Sequence, residues 1–201
     1  EKAELYKRIS NMWRITDDFW DDWTLLYDMF SRAERWSIHA GNGHWPDANM
    51  LPIGPIRQVY DVNYRTKFTQ DEQITMMTLW SILRSPLIIG GEMTGFDAFT
   101  MSLLTNEELL KMHSNSRHSH QVWRKEIGGI EHVLWTSVSS EGGQYIAVFN
   151  AGDTDSEITI PLTDLELYEG ISGFEIWSGE TFEAKTQLKV SLKSHSAKAF
   201  Y

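Results

Sequence analysis

Residues 13–23 read WRITDDFWDDW: four aspartates, one arginine and three tryptophans in eleven positions. What those carboxylates do decides how the first half of the chain is understood. The run Asn11 to Ile15 is short and largely apolar, and it ends at Thr16-Asp17-Asp18. Beyond it Phe19, Trp23, Leu26, Phe30 and Ala33 recur at spacings of three and four, which marks one face of a helix. A strand feeding a helix is therefore expected. On that reading Thr16, Asp17 or Asp18 caps the helix, and Asp21 and Asp22 complement the positive end of its dipole. The alternative is that one carboxylate stands on the loop after a strand, where parallel β/α folds place reacting groups. The two roles need opposite surroundings. A cap accepts backbone N–H bonds that favour the anion, whereas a general acid must hold a proton near neutral pH.

Outward from this stretch the alternation of strand and helix continues. HWPDANMLPIG (residues 44–54) sets Pro and Gly around a short apolar piece, and TQDEQITMMTLWSIL (69–83) opens with a threonine cap and an acidic first turn. SPLIIGG (85–91) has the apolar run expected of a strand buried on both faces, and DAFTMSLLTNEELLKM (97–112) reads as one further helical stretch. The histidines of HSNSRHSH (113–120) are expected in an interdomain linker rather than a metal shell, because no further ligand stands at a spacing that completes one. After it the period falls to two. EHVLWTSV, QYIAVFN, SEITIPL, FEIW, QLKVSL and KAFY are separated by turn residues, the pattern of an antiparallel sandwich. The expected division is 1–117, alternating strand and helix, and 118–201, all-β.

Composition narrows the function classes. Eighteen basic against twenty-eight acidic residues give a net charge of −10, which disfavours nucleic acid and anionic membrane surfaces as partners. No apolar run reaches the length of a membrane span. With no cysteine there is neither a disulfide framework nor a thiolate nucleophile. No Asn-x-Ser/Thr acceptor occurs, which leans toward a bacterial source. The opening EKAELYKR reads as the back half of a helix, so the sequence is expected to continue upstream.

Several motifs, taken in order, resemble the second half of glycoside hydrolase family 27, the α-galactosidase and α-N-acetylgalactosaminidase family. They are the pair Trp13-Arg14, the aspartate Asp18 four residues after the arginine and Trp23 nine after it; the segment Gly41 to Leu51; and Ser85-Pro86-Leu87. The match is detailed over residues 10 to 112 and general in style beyond. It implies α/β plus all-β architecture: the last three β/α units of a (β/α)8 TIM barrel followed by an antiparallel β-sandwich. It also implies hydrolysis of terminal α-galactosides by a retaining double displacement, with two carboxyl groups about 5–5.5 Å apart. By position Asp18 is the acid/base and Arg14 a holder of sugar hydroxyls. Asn49, which stands where the family most often has a second aspartate, and Met50 are placed at the rim of the sugar pocket. No metal and no cofactor is implied.

The family's nucleophile, in a Lys-x-Asp context, is absent here, so this chain is expected to hold one catalytic carboxylate of two and to hydrolyse nothing alone. Related specificities, β-L-arabinopyranosidase among them, stay open, as does a non-catalytic carbohydrate-binding or structural module. The expected partner is an oligosaccharide or glycoside, the expected location secreted or periplasmic. Three β/α units without neighbours expose a strand edge and apolar faces, so self-association or marginal stability is expected.

Overall fold

The structure, a computed structural model, describes residues 2–59 and 62–201. Helix α1 (Lys2–Ile9) leads into strand β1 (Met12–Arg14), helix α2 (Trp23–Ser37) and strand β2 (Trp45–Asp47). β1 and β2 are parallel, with Arg14 opposite Asp47. A hairpin of β3 (Pro55–Val59) and β4 (Val62–Arg65) follows, then α3 (Gln70–Leu83), α4 (Ala98–Leu104) and α5 (Glu107–Asn115). Just beyond β2, Leu51 pairs in parallel with Ile89, its N–H donating to the Ile88 carbonyl at 2.7 Å. Three parallel segments, each followed by helix, thus run side by side in chain order, and the partial barrel expected from the sequence is present.

The helices form where local chemistry dictates. Thr69 and Glu72 make a reciprocal capping box at the start of α3. In α2 the buried positions Leu26, Met29, Phe30, Ala33 and Ser37 make one stripe. Phe19, expected as the first member of that stripe, is buried in the turn ahead of the helix instead, its ring 4.9 Å from that of Trp80. The stretch 97–112 is two helices rather than one. The Asn106 side chain accepts from the Leu109 N–H and starts α5 afresh, one residue past Thr105, the C-cap of α4.

Two further expectations are corrected. The SPLIIGG segment is not buried on both faces: Ile88 and Ile89 are exposed, because among the described residues it pairs on one side only, with Leu51. HSNSRHSH is no open linker. α5 runs to Asn115 and strand β5 (Ser116–Ile127) starts at the next residue. Arg84, at the left-handed C-cap of α3, donates to the His113 and Ser116 carbonyls and closes that junction.

The remaining strands are β6 (Ile130–Ser139), β7 (Gln144–Asn150), β8 (Ser156–Pro161), β9 (Ile171–Phe174), β10 (Thr181–Ala184), β11 (Gln187–Leu192) and β12 (Ala197–Phe200). They form an antiparallel sheet in the order β12-β7-β6-β5, which β9 and β10 extend through the Glu175–Phe200 bridge, and a second layer of β8 and β11. Alternation divides the larger sheet between two cores. Val133, Trp135, Tyr145, Ala147, Phe149 and Ala199 belong to the core they share with α2 and α3. Leu134, Ile146, Val148 and Phe200 meet Ile158, Ile160, Val190 and Leu192 inside the sandwich. Helix α3, between parallel strands and sandwich, is accordingly buried nearly all round.

Candidate active site

The sequence places Arg14 at the end of β1, and the parallel register puts Asp47 at the equivalent point of β2. The chain then turns through residues 15–22. One nitrogen of the Arg14 guanidinium, Nη2, donates to Asp18 Oδ1 at 3.2 Å and to the Asp17 carbonyl at 3.1 Å. Asp18 is otherwise open, its side chain 83% exposed. It does not cap the following helix. That role falls to Asp22, whose Oδ1 accepts from the Thr24 N–H at 2.8 Å and from the Thr24 hydroxyl at 2.6 Å. Those two bonds hold the Asp22 carboxyl below its usual range. The expectation of a cap at Thr16, Asp17 or Asp18 is therefore corrected: the first turn begins at Trp23, too far along for any of them.

Asp21 also differs from expectation. Rather than facing the helix dipole from the surface, its side chain is 1% exposed and pairs with Arg57 Nη2 at 2.7 Å. Its second oxygen accepts from the Lys67 N–H at 2.8 Å. The Arg57 guanidinium lies over the Trp20 ring, 4.4 Å from the centroid. The four aspartates thus have four distinct situations, and Asp17 and Asp18 alone keep exposed carboxylates not engaged in capping or in a buried ion pair.

Asn49 is buried, with φ of 82°, in the left-handed region that a short polar side chain tolerates. Its Nδ2 donates to the Asp17 carbonyl at 3.2 Å, which ties the segment after β2 to the turn carrying Asp18. Its N–H donates to Asp47 Oδ1 at 2.8 Å, its Oδ1 accepts from the Met50 N–H, and its carbonyl accepts from Trp80 Nε1 at 3.0 Å. Met50 is half-buried beside Gly90, where the thioether fills the space a Cβ would need. The structure therefore brings Arg14, Asp18 and Asn49 together around the Asp17 carbonyl, with Met50 next along the chain.

Two residues escaped the sequence reading. Asp47 lies within the Gly41–Leu51 motif, two residues after Trp45, and that motif was the signal that could have singled it out. Arg57 stands 36 residues from its partner Asp21, and no short-range pattern announces the pair. No group of three or more metal-ligating side chains is found among the described residues, and no described helix is long and apolar enough to cross a membrane. His113 instead bonds the Ser85 carbonyl through Nε2 at 2.8 Å, and burial pulls its pKa down.

The sandwich reaches back to this turn. The His195 ring stacks on Trp23 at 3.7 Å and contacts Glu72 and Asp153 through its two nitrogens at 2.9 and 2.8 Å. The start of α2, directly after the aspartate cluster, is thereby fixed from both halves of the molecule.

Against known proteins, the family model described as Alpha galactosidase A matches residues 2–115, and that of the alpha galactosidase C-terminal beta sandwich domain matches residues 129–201. Alpha-galactosidase D of Emericella nidulans is 28% identical over 188 residues, 93% of this chain and 27% of that protein. Alpha-galactosidase 2 of Arabidopsis thaliana is 24% identical over 195 residues, 96% of this chain and 46% of that protein. Among solved structures, a GH27 β-L-arabinopyranosidase of Geobacillus stearothermophilus superposes with a TM-score of 0.92 at 45% identity, over 99% of this chain and 46% of that one. Alpha-galactosidase I of Mortierella vinacea, 20% identical, shares the fold with a TM-score of 0.85 over 99% of this chain and 54% of that one. The chain spans less than half the length of these curated relatives.

Proposed function

Because the chain belongs to glycoside hydrolase family 27, we propose that it supplies the acid/base half of a retaining glycosidase that removes a terminal α-galactoside-like sugar. The observation that carries this is the Arg14–Asp18 pair at the end of β1, with Asp18 open to solvent while Asp22 does the capping. A general acid must reach the glycosidic oxygen, which a carboxyl locked onto helix amides cannot do. Arg14, always charged, steers the carboxyl and offers its remaining donors to sugar hydroxyls. Asn49 holds the Asp17 carbonyl and so the path of the turn, and Met50 borders the same space.

In this reading the attacking carboxylate comes from sequence outside these 201 residues, and the chain alone turns over nothing. Incubating the purified chain with an aryl α-galactoside tests that point. Release of the phenol that Asp18→Asn abolishes overturns it, whereas activity that appears only in the longer polypeptide supports it.

A second reading concerns the sugar. The 45% identity with the Geobacillus stearothermophilus β-L-arabinopyranosidase, a variant of which is solved with arabinose, exceeds the identity to the α-galactosidases named above. β-L-Arabinopyranose has the ring configuration of α-D-galactopyranose without the exocyclic hydroxymethyl group. Comparing kcat/KM for the two aryl glycosides on the full-length enzyme separates the readings. A preference for the arabinoside assigns the second, and a preference for the galactoside the first.

Action in the periplasm or outside the cell is checked by fractionation. Self-association of the isolated chain follows from exposed Met12, Ile88 and Ile89 beside the parallel strands. A monomer by light scattering at high concentration contradicts it.

A further inference from the structure

We infer that Trp20 and Arg57 form a platform that binds the leaving-group saccharide, and that they set the enzyme's preference for a sugar over a small alcohol at that position. This rests on the acid/base reading of Asp18.

Ahead of the bend at Asp21, where the Asp22 N–H donates to the Trp20 carbonyl at 2.9 Å, the side chains alternate: Asp18 exposed, Phe19 buried, Trp20 half-exposed. Alternation of this kind belongs to a locally extended chain, in which residues two apart share a side. Trp20 therefore faces the same side as Asp18. A carboxylic acid that protonates the glycosidic oxygen lies within hydrogen-bond reach of the bond being broken. The side chain next along on its own face consequently borders the departing group.

What stands there is built rather than incidental. Phe19 and Asp21 anchor the turn from below, Phe19 against Trp80 and Asp21 through Arg57 and the Lys67 N–H. Arg57, at φ of 53°, holds a backbone conformation that non-glycine residues seldom adopt. Its guanidinium bonds the buried carboxylate with one nitrogen while lying over the Trp20 ring, and its side chain remains 35% exposed. An indole with a guanidinium stacked over it suits a pyranose: the part of the indole that meets solvent offers apolar surface to C–H groups and the free N–H groups donate to hydroxyls. Neither feature serves a methyl group.

The test uses the full-length enzyme and two substrates with the same terminal sugar, one a disaccharide with an α-1,6-linked pyranose as leaving group, the other the methyl glycoside. Trp20→Leu, which leaves the Asp21–Arg57 pair intact, is expected to lower kcat/KM for the disaccharide about tenfold, within the range of a stacking or cation–π contact. The methyl glycoside is expected to stay within about twofold, and Trp20→Tyr to restore most of the disaccharide activity. Equal losses on both substrates, or no loss on the disaccharide, overturn the platform and leave the reading of Asp18 standing. Failure of the unaltered enzyme to cleave either substrate overturns the reading on which the platform rests.

Discussion

The ion pair between Asp21 and Arg57 offers a sharp test of how the site's turn is held. Asp21 is the more deeply buried partner, 1% exposed against 35% for Arg57. Replacing Arg57 by Met removes the partner of a desolvated carboxylate and leaves it one backbone donor, from Lys67. Breaking a fully buried pair costs about 3–5 kcal/mol. Because a third of Arg57 already meets water, the expected loss is at the lower end or below it, about 2–3 kcal/mol. Asp21→Asn alone keeps an acceptor for the Lys67 N–H but turns an amide donor toward the guanidinium, for about 1–2 kcal/mol. The double variant removes the stranded charge altogether. It is therefore expected to be more stable than Arg57→Met, by about 1 kcal/mol or more, although it carries an additional substitution. Urea denaturation of the 201-residue chain, followed by tryptophan fluorescence, reads the order of the midpoints. A double variant at or below the midpoint of Arg57→Met, with losses that simply add, would refute the claim that burial of the Asp21 charge dominates the pair.

Other consequences are equally concrete. Trp80→Phe removes the donor to the Asn49 carbonyl inside the core, and a loss of about 1–3 kcal/mol is expected in the same assay, with lowered activity in the complete enzyme. Asp22→Ala should cost about 1 kcal/mol as the loss of a helix cap, whereas Asp18→Asn should change stability by under about 0.5 kcal/mol. Equal effects at the two positions would contradict the division of labour described above. Because its Thr24 bonds lower its pKa, the contribution of Asp22 is present above the ordinary value of 3.8 and lost as pH falls below it. His113 and His132 both have pKa values pulled down, first by burial, from 6.5. The unfolded chain then binds more protons than the folded one below that value, so stability falls as the solution is acidified from about pH 7 to 5. A variant with both histidines changed to asparagine is expected to show a shallower slope by urea titration at a series of pH values.

Much of this architecture could be seen in the residues themselves because it is local. The Thr69–Glu72 box, the stripe from Leu26 to Ala33 and the alternation in QYIAVFN each declare an element within one or two turns or a single strand. Arg14 and Asp18, four residues apart, could likewise be paired from the motif they share. What stayed hidden depends on partners far along the chain. β5 reads as polar because it lies at the end of its sheet, and its histidines suggested a linker. The break at Asn106 was masked by apolar spacing that continues across it. Four aspartates in one short stretch are all chemically competent to cap a helix, and only the position of its first turn selects Asp22. Arg57 comes to Asp21 through a hairpin whose two strands the sequence did not announce.

The acid/base assignment of Asp18 is tested most directly by leaving-group dependence in the full-length enzyme carrying Asp18→Ala. Protonation matters for a sugar leaving group and hardly at all for a dinitrophenolate, which departs as a stable anion. The expected result is a loss in kcat/KM of about 10²–10⁴-fold on a disaccharide, the usual contribution of general acid catalysis, with the bond-breaking step of the dinitrophenyl glycoside, read as its initial burst, within about tenfold of the unaltered enzyme. Equal losses on both substrates, or full activity on the disaccharide, would contradict the account.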